Sequence, residues 1–143
     1  SATAASSAEE NKKLVRQWLA DVDQRGVTRA VIDKWLAPEF RLHFAGVPTP
    51  IGIAQYGEFA SGFYQNFSEL RHDLRQMVAE ADRVAVWTVV HGRHTGPYQG
   101  IAPTGRRIAV VESIIVRLKN RRIAEEWVSF DNASLMDQLR GPA

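Results

Sequence analysis

Cysteine is absent from this chain of 143 residues. That absence excludes a disulfide, a thiol nucleophile and a Cys-ligated metal. Long apolar runs are absent too, and nothing approaches the ~18 residues a membrane-spanning helix needs. An excess of one charge is also missing. Eighteen basic residues oppose 16 acidic ones, for a net charge of +2, so the chain lacks the electrostatic footprint of a nucleic-acid binder. The one basic cluster, Lys119-Asn120-Arg121-Arg122, has no interleaved aromatics and reads as a solvated turn. There is no H-E-x-x-H, and His91-Gly92-Arg93-His94 falls on a strand pattern, so no metal site is expected. The segment from Gly96 to Gly105 lacks the order of a phosphate loop and reads as a strand connection. No stretch reads as an intact targeting signal, which makes the cytoplasm the default location.

What is present is ordinary in amount and specific in arrangement. The hydrophobic fraction is 45% and the charged fraction 24%, values expected of one globular domain. Small, polar residues at the start predict a flexible tail over residues 1–8, leaving 9–143 as a single domain. Leu14, Val15, Trp18, Leu19 and Val22 recur at helical spacing over Glu9 to Asp23, and Arg25-Gly26 stops the pattern. A second short helix is predicted from Thr28 to Leu36, with Pro38 ending it. Glu39 to Phe44 alternates as a strand, and Ile53 to Phe67 reads as a third helix. From Leu70 the period changes to two. Strands are predicted over 72–80, 83–94, 107–118 and 123–130, followed by a short helical pattern.

This order predicts an α+β fold in which a curved, largely antiparallel sheet wraps around three N-terminal helices. In Ala109-Val110-Val111-Glu112-Ser113-Ile114-Ile115-Val116 both alternating sets are mostly aliphatic. One face then lines a core or pocket, and the other is expected to pack on a second copy of the chain as a homodimer.

The candidate chemistry converges on Asp131, which closes the aromatic run Trp127-Val128-Ser129-Phe130. An acid held in such surroundings has its pKa raised toward the range of proton transfer. The same residue, followed by Asn132-Ala133-Ser134-Leu135, also reads as a helix N-cap. With Asn120 and Arg121 at the centre of the hairpin turn, Ser129 faces Glu112 and Asp131 faces Val110. That register puts Asp131 and Glu112 on one face; a one-residue bulge would undo it. His43 points inward if Leu42 packs outward. His72 and His91 are placed across from each other, and His94 ends a strand.

Several ordered segments then carry a resemblance. They are Phe67-Ser68-Glu69-Leu70-Arg71-His72, Ala79 to Ala85, Gly92 to Arg106, Ile123-Ala124-Glu125-Glu126-Trp127, Asp131 and Gln138-Leu139. Together they resemble the SnoaL-like polyketide cyclases, of the nuclear transport factor 2-like superfamily, from about Asn11 to Gly141. The resemblance implies a cone-shaped α+β barrel, an apolar pocket, a dimer, and intramolecular aldol ring closure needing no metal or organic cofactor. It also implies Asp131 as acid/base and His43 in the pocket. Glu112, Arg117 and the Asn120-Arg121 turn depart from the family pattern.

On this reading Asp131 abstracts a proton alpha to a carbonyl, while His43, helped by His94 or a Tyr, polarises the oxygen. Phe40, Tyr56, Phe63, Tyr64, Trp87, Tyr98, Glu112 and Trp127 are the candidate walls for a hydrophobic small molecule. The alternative is a non-catalytic binding protein that uses the same pocket.

Overall fold

A computed structural model describes residues 2–142 of the chain. The first helix, α1 (Ala2–Arg25), buries Leu14, Val15, Trp18, Leu19 and Val22 along one side. It takes in residues 2–8, the segment expected to be a tail, because no Gly or Pro interrupts it. Gly26, at φ 74°, closes the helix with its N–H on the Val22 carbonyl. Helix α2 (Arg29–Trp35) starts at Thr28, whose side chain accepts the Val31 N–H. The two helices are stapled through one carboxylate. Asp21 accepts two bonds from Arg25 and one from the Trp35 indole N–H, all at 2.7 Å.

Strand β1 (Leu36–Phe44) follows without a break. Pro38 accounts for this early switch, since the residue before a proline is pushed out of the helical region. Strand β2 (Ile51–Gly52) pairs with β1, and helix α3 (Ile53–Tyr64) ends three residues earlier than its apolar pattern suggests. Phe67 instead opens β3 (Phe67–Glu80). Then come β4 (Arg83–His94), β5 (Arg107–Lys119), β6 (Arg122–Phe130) and helix α4 (Asn132–Arg140). The sheet order is β2-β1-β6-β5-β4-β3, with β1 parallel to β6 and the other neighbours antiparallel. The fold is the expected α+β class, with four helices among the described residues instead of three. None of those helices is long and apolar enough to cross a membrane.

The hairpin between β5 and β6 turns at Asn120 and Arg121, both in the left-handed region, as a two-residue turn requires. Lys119 pairs with Arg122 and Leu118 with Ile123, as the turn predicts. The next pair is Arg117 with Glu125, so Ala124 is an extra residue and forms a bulge. Beyond it every β6 side chain changes face. Glu126, Val128 and Phe130 join Glu112 and Ile114 on the concave side. Glu125, Trp127 and Ser129 go to the convex side.

The core lies in the concavity. Trp18 and Leu19 of α1, Phe40 and Leu42 of β1, and Val84, Val86, Ile114 and Val116 of the sheet form its larger part. A smaller cluster joins Phe67, Ile108 and Val110 to Leu135 and Leu139 of α4. The cavity opens between the two. On the convex face Val78, Trp87 and Ile115 remain exposed.

Candidate active site

A cavity of about 500 Å³ occupies the concave face. Its walls are mainly apolar: Trp18 and Leu19 from α1, Phe59 and Phe63 from α3, and Val90, Ile114, Val128 and Phe130 from the sheet. At the mouth, Tyr98 and Gln99 of the β4–β5 connection meet Asn132 of α4. The Tyr98 hydroxyl donates to Asn132 Oδ1 at 2.8 Å, and Asn132 Nδ2 donates to Gln99 Oε1 at 3.0 Å.

The polar groups inside are few, and two of them, His72 and Glu112, are linked to Asp23 behind the lining. His72 of β3 points inward beside Leu70 and meets Asp23 near the end of α1. Asp23 holds it twice: the His72 backbone N–H donates to Oδ2 at 2.8 Å, and ring Nδ1 lies 2.6 Å from Oδ1. The other ring nitrogen, Nε2, lies 3.4 Å from Glu112 Oε1. Burial alone would push the imidazole down. The hydrogen bonds and charges of Asp23 and Glu112 outweigh it and lift its pKa to about 10, so the ring is a cation at neutral pH. Two opposite charges therefore flank one buried cation, which offsets the cost of burying it.

Glu126 is the second centre. Its side chain lines the cavity, is only 5% exposed, and makes no hydrogen bond among the described residues. Burial first, and the Glu112 charge second, push its carboxyl up to about 8 against the opposing pull of His72. At neutral pH Glu126 is thus a neutral acid whose unbonded carboxyl lines the cavity. Tyr56 and Tyr64 also line the cavity. Burial raises both pKa values, and nearby carboxylate charge raises them further, so both stay protonated donors.

Five of the expected wall residues, Tyr56, Phe63, Tyr64, Tyr98 and Glu112, line the cavity. Phe40 does not. It is fully buried behind Tyr56 in an edge-to-face contact with ring centres 4.9 Å apart. Trp87 and Trp127 sit on the convex side, Trp127 because of the bulge at Ala124. His43 is also convex, because Leu42 packs inward. Its Nε2 lies 2.6 Å from Glu125 Oε2, and its ring stacks on Trp127 at 5.2 Å. The His43 hydrogen bond, then the Arg117 one, hold the Glu125 carboxyl below its ordinary range against some desolvation.

Asp131 falls outside the cavity lining. Its carboxylate caps α4 by accepting the Ser134 N–H at 3.1 Å, and its own N–H donates to the Val111 carbonyl. The capping reading is the one the geometry supports. His94 lies outside the cavity as well. It is fully buried, with Nδ1 accepting the Thr104 N–H at 3.1 Å and the ring 5.2 Å from Phe67. It pins the end of β4 to the connection that follows.

Asp23, His72 and Glu126 were not among the candidates. A signal existed for two of them. Asp23 continues the Val15–Leu19 line at a spacing of four, on the buried side of α1, and His72 shares its strand face with Leu70 and Leu74. Glu126 was hidden by the bulge. Among the described residues no group of three or more His, Asp or Glu side chains is arranged to hold a metal ion.

Solved structures share this architecture. A proposed SnoaL-like polyketide cyclase from Jannaschia sp. CCS1 matches with a TM-score of 0.81 and 21% identity over 95% of each chain. AclR, a proposed hydroxylase from Streptomyces galilaeus, matches at 0.83 and 22%, over 95% of this chain and 99% of its own. IdmH, a proposed polyketide cyclase from Streptomyces antibioticus, matches at 0.81 and 20%, over 91% of this chain and 98% of its own. At such identities the likeness is one of fold. No curated protein matches the chain. The SnoaL-like polyketide cyclase family matches over residues 13–139, nearly the whole chain, and this protein therefore belongs to it.

Proposed function

We propose that this chain is a cofactor-independent acid–base enzyme acting on an apolar, carbonyl-containing small molecule. The reaction is an aldol-type ring closure or a related isomerisation or dehydration. One observation carries the proposal: a buried, unbonded acid, Glu126, faces an apolar cavity also lined by His72 and Glu112, with Asp23 behind His72. Two carboxyls whose surroundings differ this much divide naturally into an acid and a base.

In this scheme Glu112 removes a proton alpha to a carbonyl, with the His72 cation beside it. The enolate oxygen accepts a hydrogen bond from Glu126, inside a cavity where such a bond is strong. The enolate carbon then forms a bond to the carbon of a second carbonyl. Glu126 protonates the new alkoxide, and transfer of the Glu112 proton to Glu126 resets both groups. Tyr56 and Tyr64 are further donors to the developing charge.

Alpha-proton exchange of 2-tetralone in D₂O, followed by proton NMR, tests the core step without the natural substrate. Glu112→Gln is expected to slow the protein-dependent exchange by more than about a hundredfold, as loss of a general base does. Exchange no faster than in buffer would leave only the non-catalytic reading, in which the same cavity merely holds its ligand.

We also propose that the chain acts as a homodimer through its convex face. Val78, Trp87 and Ile115 form an exposed apolar centre there, which no helix of the described chain covers. Asp73 and Glu125 share that face with Arg83 and Arg117, so a second copy turned by a twofold meets charge of both signs.

A further inference from the structure

We propose that Asp23, on α1 and outside the cavity lining, is a positioning residue that acts on the chemistry only through His72, holding its ring so that Nε2 stays aimed at Glu112. This inference rests on the acid–base reading of the cavity. Its substance is geometric. Asp23 spends one carboxylate oxygen on the His72 backbone N–H, at 2.8 Å, and the other on ring Nδ1, at 2.6 Å. The first bond fixes where the residue sits, and the second fixes how its ring is turned. With Nδ1 committed to the helix, only Nε2 is left for the cavity, and it lies 3.4 Å from Glu112.

The strand alone would not supply this. The β3–β4 register shifts between Ser68 and Arg71 and again between Leu74 and Gln76, so His72 sits in a short regular stretch between two irregularities. An anchor from outside the sheet sets the ring there. The His72 N–H is directed to the helix carboxylate, so the contact ties α1 to β3 by main chain as well as side chain. The other titratable groups facing this corner are Glu112 from β5, Glu126 from β6 and Tyr64 from α3. Among the described residues no Lys or Arg lines the cavity, so none of them supplies another cation in place of His72.

Such a residue touches no ligand, which separates it from the walls. Asp23→Asn keeps the shape and removes the charge. Nitrogen NMR of the imidazole in the full-length protein is expected to show the His72 ring losing its proton about two pH units lower than in the wild type, as loss of one close carboxylate does. Binding of 2-tetralone should stay within about twofold, while its exchange rate falls about tenfold or more. His72→Gln should show the same rate loss, and adding Asp23→Asn to it should cost nothing further.

An unchanged His72 titration overturns the proposal, and so does a rate loss that adds fully to that of His72→Gln. If Asp23→Asn does not fold, His72→Gln decides alone, and a wild-type exchange rate in it overturns the proposal. If the wild type gives no exchange at all, the catalytic reading fails, while the imidazole titration still decides whether Asp23 holds His72.

Discussion

Glu125 and Glu126 are consecutive in the chain and lie on opposite sides of the sheet. Glu125 bonds His43 and Arg117 on the convex face, and Glu126 stands unbonded in the cavity. Their pKa values move in opposite directions, down for Glu125 and up to about 8 for Glu126. The same side chain is thus an ion-pair partner in one place and a neutral acid in the next. Hydrogen bonding dominates the first and desolvation the second.

Glu126 gives stability a pH dependence of definite sign. Its folded pKa of about 8 lies above the ordinary 4.5, so the native state holds a proton there that the unfolded chain releases. Stability falls as pH rises across that window, by ~5 kcal/mol in the limit. His72 adds a second decline. Its contribution is complete below 6.5 and is lost as pH rises through about 10. Denaturant titrations should therefore show the wild type weakening from about pH 5 to 10, while Glu126→Gln removes the decline below about pH 6.5. A Glu126→Gln variant with the wild-type slope there would show that this carboxyl is not held neutral.

Asp131→Ala tests the two readings of that residue. Loss of the Ser134 cap should cost about 1 kcal/mol of stability, measured by denaturant midpoint. Exchange of 2-tetralone should be unaffected within about twofold. A loss of more than about tenfold in rate would return Asp131 to the chemistry.

The cavity should select by charge. Glu112 and Glu126 are two inner carboxyls beside one cation, His72, whose far side is held by Asp23 behind the lining, and among the described residues the lining holds no Lys or Arg. Methyl 2-naphthoate should bind at least about tenfold more tightly than 2-naphthoate at pH 7, a difference of ~1.4 kcal/mol. Calorimetry with the two probes measures it, and equal affinities would mean that the inner carboxyls do not face the ligand.

The convex face makes its own prediction. Sedimentation should find the wild type dimeric, and Trp87→Glu or Ile115→Arg, at exposed positions in the apolar centre, monomeric. A monomeric wild type at tens of micromolar would refute the interface.

The fold was legible where hydrophobic period alone decides structure. Strand β4 has the expected bounds, Arg83 to His94, and the turn centres on Asn120 and Arg121 as its length requires. Resemblance and periodicity agreed on the architecture, and five of the expected walls line the cavity. The chemistry was less legible for two physical reasons. An unpaired residue leaves little mark in a run such as Ile123-Ala124-Glu125-Glu126-Trp127, where several alignments bury apolar groups well. The pairing of Asp23 with His72 joins residues 49 positions apart on elements of different kinds, a contact that no local period encodes.

The extra residue at Ala124 also decides which acid the chamber receives. A ladder that paired Ala124 with Arg117 would shift β6 by a single position beyond the turn. Glu126 and Phe130 would leave the cavity together, and Glu125 and Trp127 would enter in their place. One backbone pairing thus decides which acid the chamber holds and which rings line it, with every amino acid unaltered.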